Sequence, residues 1–170
     1  MNRIATFKKI TFEQFEKDFA DCCAGKTSTT AEEAYEAAKK PVRATAGSAG
    51  YDLISTVSFK LEPGESIKIP TAIRVQMDEG WVLLILPKSG LGSKFRFQLD
   101  NTCGVIDSDY YYAANQGHIM VPMTNDSKSG KTLEIPAGKA FAQAIFVPYG
   151  ICIDDEAEGA RTGGFGSTGV

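Results

Sequence analysis

Two carboxylates and an aromatic ring interrupt an apolar run at residues 104 to 110, which read GVIDSDY. Burying a carboxylate is unfavourable unless it is paired or takes part in chemistry. Asp107, directly behind Val105 and Ile106, is therefore a candidate functional acid. Asp and Ser are also common turn formers, so an ordinary turn is the alternative for this segment.

Two further polar segments follow strand-like apolar runs. Residues 87 to 92 read PKSGLG and come directly after the run from Trp81 to Leu86. They offer the cation of Lys88, the hydroxyl of Ser89 and glycine backbone amides that could approach a phosphate closely. Gln143 places a neutral amide inside the apolar stretch 142–147, where packing would favour a hydrocarbon.

The last ten residues read RTGGFGSTGV. Arg161 could form a bidentate contact with a phosphate, and Phe165 could stack on a base. The glycines between and around them would permit closure over a ligand. These residues indicate a clamp, whereas a disordered terminus is the alternative.

Five segments, taken in order, resemble the five ordered motifs of the trimeric dUTP pyrophosphatases. They are AGYDL at 49–53, PKSGLG at 87–92, GVIDSDY at 104–110, AQAIF at 142–146 and GFGSTG in the tail. The resemblance covers roughly residues 41 to 170. It implies a homotrimer with shared active sites that hydrolyses its substrate dUTP to dUMP and pyrophosphate with Mg²⁺.

The resemblance also implies roles along the triphosphate. Asp107 would be the general base that activates water for attack on the α-phosphorus. Gln143 would hydrogen-bond near the α-phosphate and this water. Lys88, Ser89 and Gly90 would hold the phosphate chain, and Arg161 would grip the γ-phosphate.

Base selection in this family uses a β-hairpin whose backbone pairs with uracil. Here the hairpin would run from Asn101 through Val105 and Ile106 to about Met120. Tyr110 would lie against the deoxyribose and exclude a 2′-hydroxyl. From the tail, Phe165 would cover the uracil ring, with Gly166 and Ser167 beside it in the substrate site.

Mg²⁺ prefers octahedral oxygen coordination and commonly binds through substrate phosphates. We therefore expect no direct side-chain ligand. Asp52 could act on the waters of the metal or orient a neighbouring basic group, and a structural Asp at a strand end is the alternative.

Three departures from the family pattern limit how far the family's residue roles can be assigned to this chain. Lys88 stands where the family often has Arg, so the bidentate contact is lost. Only three residues separate Arg161 from Phe165, where many relatives have four, which leaves the reach of Arg161 open. Residues 111–116 form a longer hairpin tip than the compact form of many relatives, which should alter the rim of the site.

Composition bounds the class of protein. The 170 residues are 43% hydrophobic and 23% charged, which fits one soluble domain. No apolar run or signal-peptide core suggests a membrane span or export, and we expect a cytoplasmic protein. A net charge of −3 disfavours a nucleic-acid polymer as partner. Lys94 and Arg96 could join a local phosphate cluster or be solvated strand residues.

The remaining chemistry-bearing side chains give weak signals. Cys22, Cys23, Cys103 and Cys152 lack the spacing of a zinc site or a disulfide framework, so reduced thiols are expected. The single histidine, His118, is expected at the surface or in packing rather than in catalysis.

The periodicity predicts a helical insertion at 11–40 followed by short strands. Thr11-x-x-Gln14 and Thr30-x-x-Glu33 both fit a capping box, and Pro41 ends the second helix near Lys40. The run 81–86 fits a strand buried on both faces. Many short strands with Gly and Pro turns favour an all-β fold, a distorted jelly-roll barrel of the dUTPase type. Residues 1–150 would form this domain and 151–170 a C-terminal arm.

Two other functions stay open at this point. A dCTP deaminase on the same fold would release ammonia, but no acid stands out as its base. A nucleotide-binding regulatory protein could use the 11–40 insertion as a surface for a protein partner, which the sequence does not identify.

Overall fold

The computed structural model describes residues 2–23 and 25–159. Three α-helices lie in this part of the chain: α1 Phe12–Cys23, α2 Ala31–Ala37 and α3 Ser89–Phe95, with one 3-10 helix at Ser108–Tyr112. The strands are β1 Ala5–Lys9, β2 Val42–Arg43, β3 Tyr51–Ile54, β4 Phe59–Leu61, β5 Ser66–Pro70, β6 Ile73–Met77, β7 Trp81–Pro87, β8 Phe97–Leu99, β9 Gly104–Ile106, β10 Met120–Asn125, β11 Leu133–Ile135 and β12 Ala140–Pro148.

The strands form small antiparallel sheets around one core. The largest sheet has the order β2-β3-β12-β7-β9, and the others pair β5-β10-β8, β1-β6 and β11-β4. Strands that are neighbours in space are often distant in sequence, as in a jelly roll. The all-β prediction with a helical insertion is confirmed.

Alternation of apolar and polar residues explains how these short strands form the core. In β4, Phe59 and Leu61 are buried while Lys60 points to solvent. Their partners on β11, Ile135 and Leu133, are buried in register with them. Period-two patterning therefore fixes which side of each strand faces inward.

β7 differs from the prediction of a strand buried on both faces. Leu83 and Ile85 are fully buried, whereas Val82, Leu84 and Leu86 on the opposite face are only half-buried. We call this opposite face the outer face of the large sheet, and with the neighbouring strands it also carries Ile145, Val147, Val105 and Val42.

The helical insertion packs against β5 and contributes to the core. Phe15, Cys22 and Cys23 of α1 are buried. At α2 the predicted capping box is present, with reciprocal bonds between Thr30 and Glu33, and the helix ends earlier than predicted, at Ala37.

At α1 only half of the predicted capping box forms. The backbone N–H of Gln14 donates to the Thr11 hydroxyl at 3.4 Å, as a box requires. The reciprocal bond is replaced, because the Gln14 side chain donates to Asp18 and the backbone N–H of Thr11 donates to Gln116. A residue that is distant in sequence therefore completes this helix start.

The predicted two-stranded hairpin from Asn101 to Met120 is not formed. β9 pairs with β7, whereas β10 pairs with β5 and β8. The physical reason is that the chain leaves β9 through the 3-10 helix Ser108–Tyr112, which begins before the tip at 111–116, and then through a turn at 114–117. This detour carries the chain away from β9 before β10 begins.

The thiols and the helices add two further observations. All four cysteines are free thiols, and burial raises the pKa of Cys22 to about 11 and that of Cys23 to about 12. Among the described residues, every helix is too short or too polar to cross a bilayer.

Candidate active site

Lys88 and Asp52 meet on the outer face of the large sheet. Lys88 follows β7 at a position of the same parity as Leu84 and Leu86, so its side chain emerges on their face. Its Nζ lies 2.7 Å from Oδ1 of Asp52, which pairs in register with Gln143. Asp52 thus contacts a neighbouring basic group, and its expected role as an orienting residue or as a structural Asp at a strand end stays a prediction.

Gln143 lies beside this ion pair on β12. Its Nε2 donates to the carbonyl of Pro87 at 3.1 Å. A Cβ built on Gly50 would lie 3.1 Å from the Gln143 Oε1. Glycine at position 50 therefore leaves the room that this amide needs, and the amide is held between β7 and the segment before β3.

Ser89 and Gly90 form the first turn of α3, directly after Lys88. Both residues are exposed, and a Cβ at Gly90 would meet no atom within 4 Å. Open space around this turn allows a ligand to approach its backbone and the Ser89 hydroxyl. Lys88, Ser89, Gly90, Asp52 and Gln143 are thus brought together at one end of the large sheet, and we call them the cation cluster.

Lys94 and Arg96 lie farther along and serve surface contacts. Lys94 is exposed in the last turn of α3, 5.2 Å from the Phe95 ring centroid. Arg96 donates to Asp126 at 2.9 Å. The alternative of solvated strand residues is wrong in its element, because Lys94 lies in α3 and Arg96 caps that helix before β8 begins.

Asp107 lies at the opposite end of the sheet. It directly follows β9, half-buried, and begins the 3-10 helix in an extended conformation. Before it, Ile106 is buried in the core and Val105 is 52% exposed on the outer face. A Cβ on Gly104 would lie 3.1 Å from Cβ of Ile85, so glycine permits the close approach of β9 to β7.

Tyr110 is held by its hydroxyl group. The ring is 1% exposed, and the hydroxyl donates to the backbone carbonyl of His118 at 2.8 Å. The side-chain amide of Asn115 donates to the same hydroxyl at 2.9 Å. Met120, at the far end of the predicted hairpin, is buried with its Sδ 3.6 Å from Sγ of Cys22.

The structure does not bring Asp107 to the cation cluster within one chain. Ile106 pairs with Leu83 and Gln143 pairs with Leu86. At about 3.4 Å per residue these two rows are roughly 10 Å apart along the strands, and Asp107 continues away from the cluster. Asn101 is exposed in the loop before β9.

Four predicted site residues, Arg161, Phe165, Gly166 and Ser167, lie outside the described residues. Within residues 2–23 and 25–159, no three His, Cys, Asp or Glu side chains cluster in a way that could hold a metal ion. The described part of the chain thus offers no protein cage for a metal.

Asp18 and His118 were missed as a pair by the sequence reasoning. His118 is fully buried, and its Nδ1 lies 2.6 Å from Oδ2 of Asp18 on α1. Burial opposes the charge on Asp18, but the hydrogen bonds from His118 and Gln14 outweigh it and hold the Asp18 pKa below its usual value. The available signal was an Asp on the apolar face of a helix that also carries Phe15 and Cys22.

Comparison with known proteins adds the family. The dUTPase family model matches residues 36–169. A deoxyuridine 5'-triphosphate nucleotidohydrolase of Actinobacillus succinogenes is 40% identical over 137 residues, covering 76% of this chain and 86% of the relative. The Lactococcus lactis protein of the same name is 38% identical over 133 residues, with 76% and 87% covered. The chain belongs to the dUTPase family.

Solved structures agree with this assignment. The dUTPase of Streptococcus mutans superposes with a TM-score of 0.62 at 30% identity, over 86% of this chain and 97% of that one. A mutant dUTPase from phage phi11 of S. aureus, described with a structural Mg(II) ion, gives a TM-score of 0.64 at 22% identity, over 92% and 98%. This second likeness shows the shared dUTPase fold alone. The resemblance stated from the five sequence segments is therefore confirmed.

Proposed function

We propose that this chain hydrolyses dUTP to dUMP and pyrophosphate. Its relatives carry the name of that activity. The observation in this molecule that supports the proposal best is the cation cluster, where Lys88, Asp52 and Gln143 converge beside the open turn of α3. A cation, an amide and accessible backbone groups are the chemistry that a phosphate chain requires.

In this proposal Lys88, Ser89 and Gly90 hold the phosphates, and Gln143 hydrogen-bonds near the α-phosphate. Asp107 accepts the proton of the water that attacks the α-phosphorus, which a carboxylate within hydrogen-bond reach of that water can do. Arg161 adds a charge at the γ-phosphate. Positioning and charge stabilisation then supply most of the rate enhancement.

Base and sugar selection fall to the segment around β9. Backbone groups between Asn101 and Ile106 would pair with uracil. Tyr110, predicted to lie against the deoxyribose, is only 1% exposed, so it would act on the sugar through the position of its segment rather than by contact of its ring. Phe165 in the tail would cover the base, with Gly166 and Ser167 beside it. Met120 is buried beneath α1, so any contribution it makes is through the position of its strand.

We further propose a homotrimer in which the sites are shared between subunits. One chain places Asp107 and the cation cluster at opposite ends of its large sheet, so a second copy is needed to complete a site. The outer face supports association, because it carries half-buried Leu84, Leu86 and Ile145 next to Val105, which is 52% exposed. Apolar surface of this kind is characteristic of subunit interfaces.

Mg²⁺ fits this site as an ion held by the substrate. The described side chains form no metal cage, and the Asp52 carboxylate already bonds to Lys88. When bound with the nucleotide, Mg²⁺ would neutralise charge on the phosphate oxygens. Asp52 could contact its waters only by sharing its carboxylate with Lys88.

The test is pyrophosphate release from purified protein with Mg²⁺ and, in turn, dUTP, dCTP, UTP and the other deoxynucleotides. We expect release from dUTP alone at a substantial rate. Asp107→Asn should abolish turnover and leave nucleotide binding largely intact. Wild-type protein that releases no pyrophosphate from dUTP contradicts the proposal, and ammonia released from dCTP would support a deaminase instead.

A further inference from the structure

The inserted helix α1 is bonded at two places to the loop that follows Tyr110. Near its start, the backbone N–H of Thr11 donates to Oε1 of Gln116 at 3.0 Å, and Nε2 of Gln116 donates back to the Thr11 hydroxyl at 3.1 Å. Midway along the helix, Asp18 bonds His118 at 2.6 Å. The 11–40 insertion and the loop that contains the tip at 111–116 are therefore built against each other.

His118 is fixed at both of its ring nitrogens. Its Nε2 accepts the backbone N–H of Ala72 at 2.9 Å, so that nitrogen carries no proton. Nδ1 therefore carries the proton and donates it to Asp18. Ala72 has φ 60, a conformation that side chains other than glycine rarely adopt, so the bond to His118 helps to hold a strained residue.

The same histidine holds Tyr110 through its backbone. The His118 carbonyl accepts the Tyr110 hydroxyl at 2.8 Å, and Asn115 donates to both of these oxygens. A bonded chain thus runs from the Asp18 carboxylate through the buried imidazole to the ring of Tyr110. A shift of His118 would move the acceptor that fixes the ring.

We propose that α1 acts as a positioning element for the substrate site, with Asp18, His118 and Gln116 as positioning residues that set the place of the Tyr110 ring. This inference rests on the proposed function, in which the segment that ends at Tyr110 lies against the deoxyribose, while the Tyr110 ring is 1% exposed and anchors that segment. Neither Asp18 nor Gln116 touches the substrate. Each acts through the loop that ends at His118.

Steady-state kinetics with dUTP and UTP test the role of α1. Asp18→Ala removes the acceptor for Nδ1, and we expect the KM for dUTP to rise and the preference for dUTP over UTP to fall, each by roughly tenfold, because small displacements in a site have large kinetic effects. Asp18→Asn keeps an oxygen that can accept the Nδ1 proton and should restore most of the preference. Gln116→Ala should give a change of about threefold in the same direction.

Two controls separate positioning from stability. Glu16→Ala removes an exposed carboxylate from the same helix and should behave as wild type. Ile135→Val destabilises the buried β4-β11 pair, remote from this loop, and should lower the melting temperature without changing the KM or the preference. The melting temperature and the kinetic values together distinguish positioning from a purely structural role, because a purely structural role for Asp18 would change only the melting temperature.

Folded Asp18→Ala protein with the KM and preference of wild type overturns the positioning role of α1. If Asp18→Ala does not fold, Gln116→Ala decides, and wild-type values in that variant overturn the role. A wild-type protein without dUTP hydrolysis contradicts the proposed function itself, whereas an active wild type with unaffected variants contradicts only the role of α1.

Discussion

The ammonium group of Lys88 lies 2.7 Å from the carboxylate of Asp52, on the outer face of the large sheet. Their side chains are 37% and 26% exposed, so water and salt weaken the attraction. Such a pair contributes little to the stability of the fold. We expect the ion pair to act instead by holding the Lys88 ammonium group beside the first turn of α3.

Removing the Lys88 cation should affect binding far more than folding. We expect Lys88→Met to raise the KM for dUTP about tenfold or more, since a hydrogen bond to a charged group contributes about 1.5–3 kcal/mol. Asp52→Asn should raise the KM for dUTP by a smaller factor, because the Lys88 cation remains but loses the carboxylate that holds it in place. Lys60→Met is the matched control, as Lys60 pairs with Glu62 and Glu134 at the surface. An unchanged KM in Lys88→Met would contradict the assignment of Lys88 to substrate binding.

Gly50 and Gln143 provide a steric test. A Cβ at position 50 would lie 3.1 Å from Oε1 of Gln143, closer than ordinary contacts, so Gly50→Ala should push the amide aside. We expect a loss in kcat of about tenfold with a change in unfolding free energy of about 1 kcal/mol or less. Gly47→Ala, which meets no atom within 4 Å, is the control. Full activity of Gly50→Ala would show that Gln143 can move without consequence.

The outer face of the large sheet predicts the assembly. Ile145 of β12 pairs with Leu84 and is half-buried on this face. Ile145→Glu should therefore convert a trimer to monomers and abolish dUTP turnover at the same time, measured by sedimentation and pyrophosphate release. Lys128→Glu in an exposed loop should change neither property. A wild-type protein that sediments as an active monomer would rule out shared sites.

His118 makes the stability depend on pH. Burial lowers its pKa below 6.5, and although Asp18 opposes this shift, protonation at Nε2 would break the bond from Ala72. The charge of Lys68 favours the neutral imidazole as well. The folded chain thus binds fewer protons here than the unfolded chain. Stability that is present above about pH 6.5 is therefore lost as the pH falls from there through the lower pKa of the folded state.

The slope from His118 is at most about 1.4 kcal/mol per pH unit, the limit for one proton. Denaturant unfolding of wild type and His118→Gln at pH 7, 6 and 5 measures it. Gln can still accept the Ala72 N–H but does not titrate, so the variant should be less stable at pH 7 and lose less stability on acidification. Asp18, with its pKa lowered, adds a loss only at pH values below about 3.8. Equal slopes for the two proteins would contradict the assignment.

Much of the fold followed from local patterning. The helical insertion was predicted from its 3.6-residue periodicity, and Thr30 with Glu33 formed the predicted capping box. These features depend on neighbours in sequence, which a single chain reveals. The second side of β7 could not be predicted in this way, because whether Leu84 and Leu86 are covered depends on surfaces brought in from elsewhere.

The sequence predicted which residues belong to the site, but it did not predict how they are arranged in space. Asp52, Lys88 and Gln143 come together because strand pairing joins β3, β12 and β7. The alternation of residues indicated which face of its strand each side chain occupies, but the sequence did not show which strands pair. Asp18 gave a signal by its place on the apolar face of α1, but nothing in the sequence identified His118, 100 residues away, as its partner.

The incomplete capping box at Thr11 has the same origin as the missed Asp18–His118 pair. The Gln116 side chain, brought in by the fold, accepts the Thr11 N–H that Gln14 was predicted to bond. The local pattern therefore predicted where α1 starts, but not which side chain accepts the Thr11 N–H.

Gly117 closes the loop that begins at Tyr110. It has φ +70, and a Cβ there would lie 2.6 Å from the Tyr110 carbonyl oxygen, so no other residue fits without displacing the backbone. Between these two ends, Tyr112 and Ala114 project into solvent. Substitutions at these two exposed positions should therefore leave the base of the loop, and the residues bonded to it, in one shape.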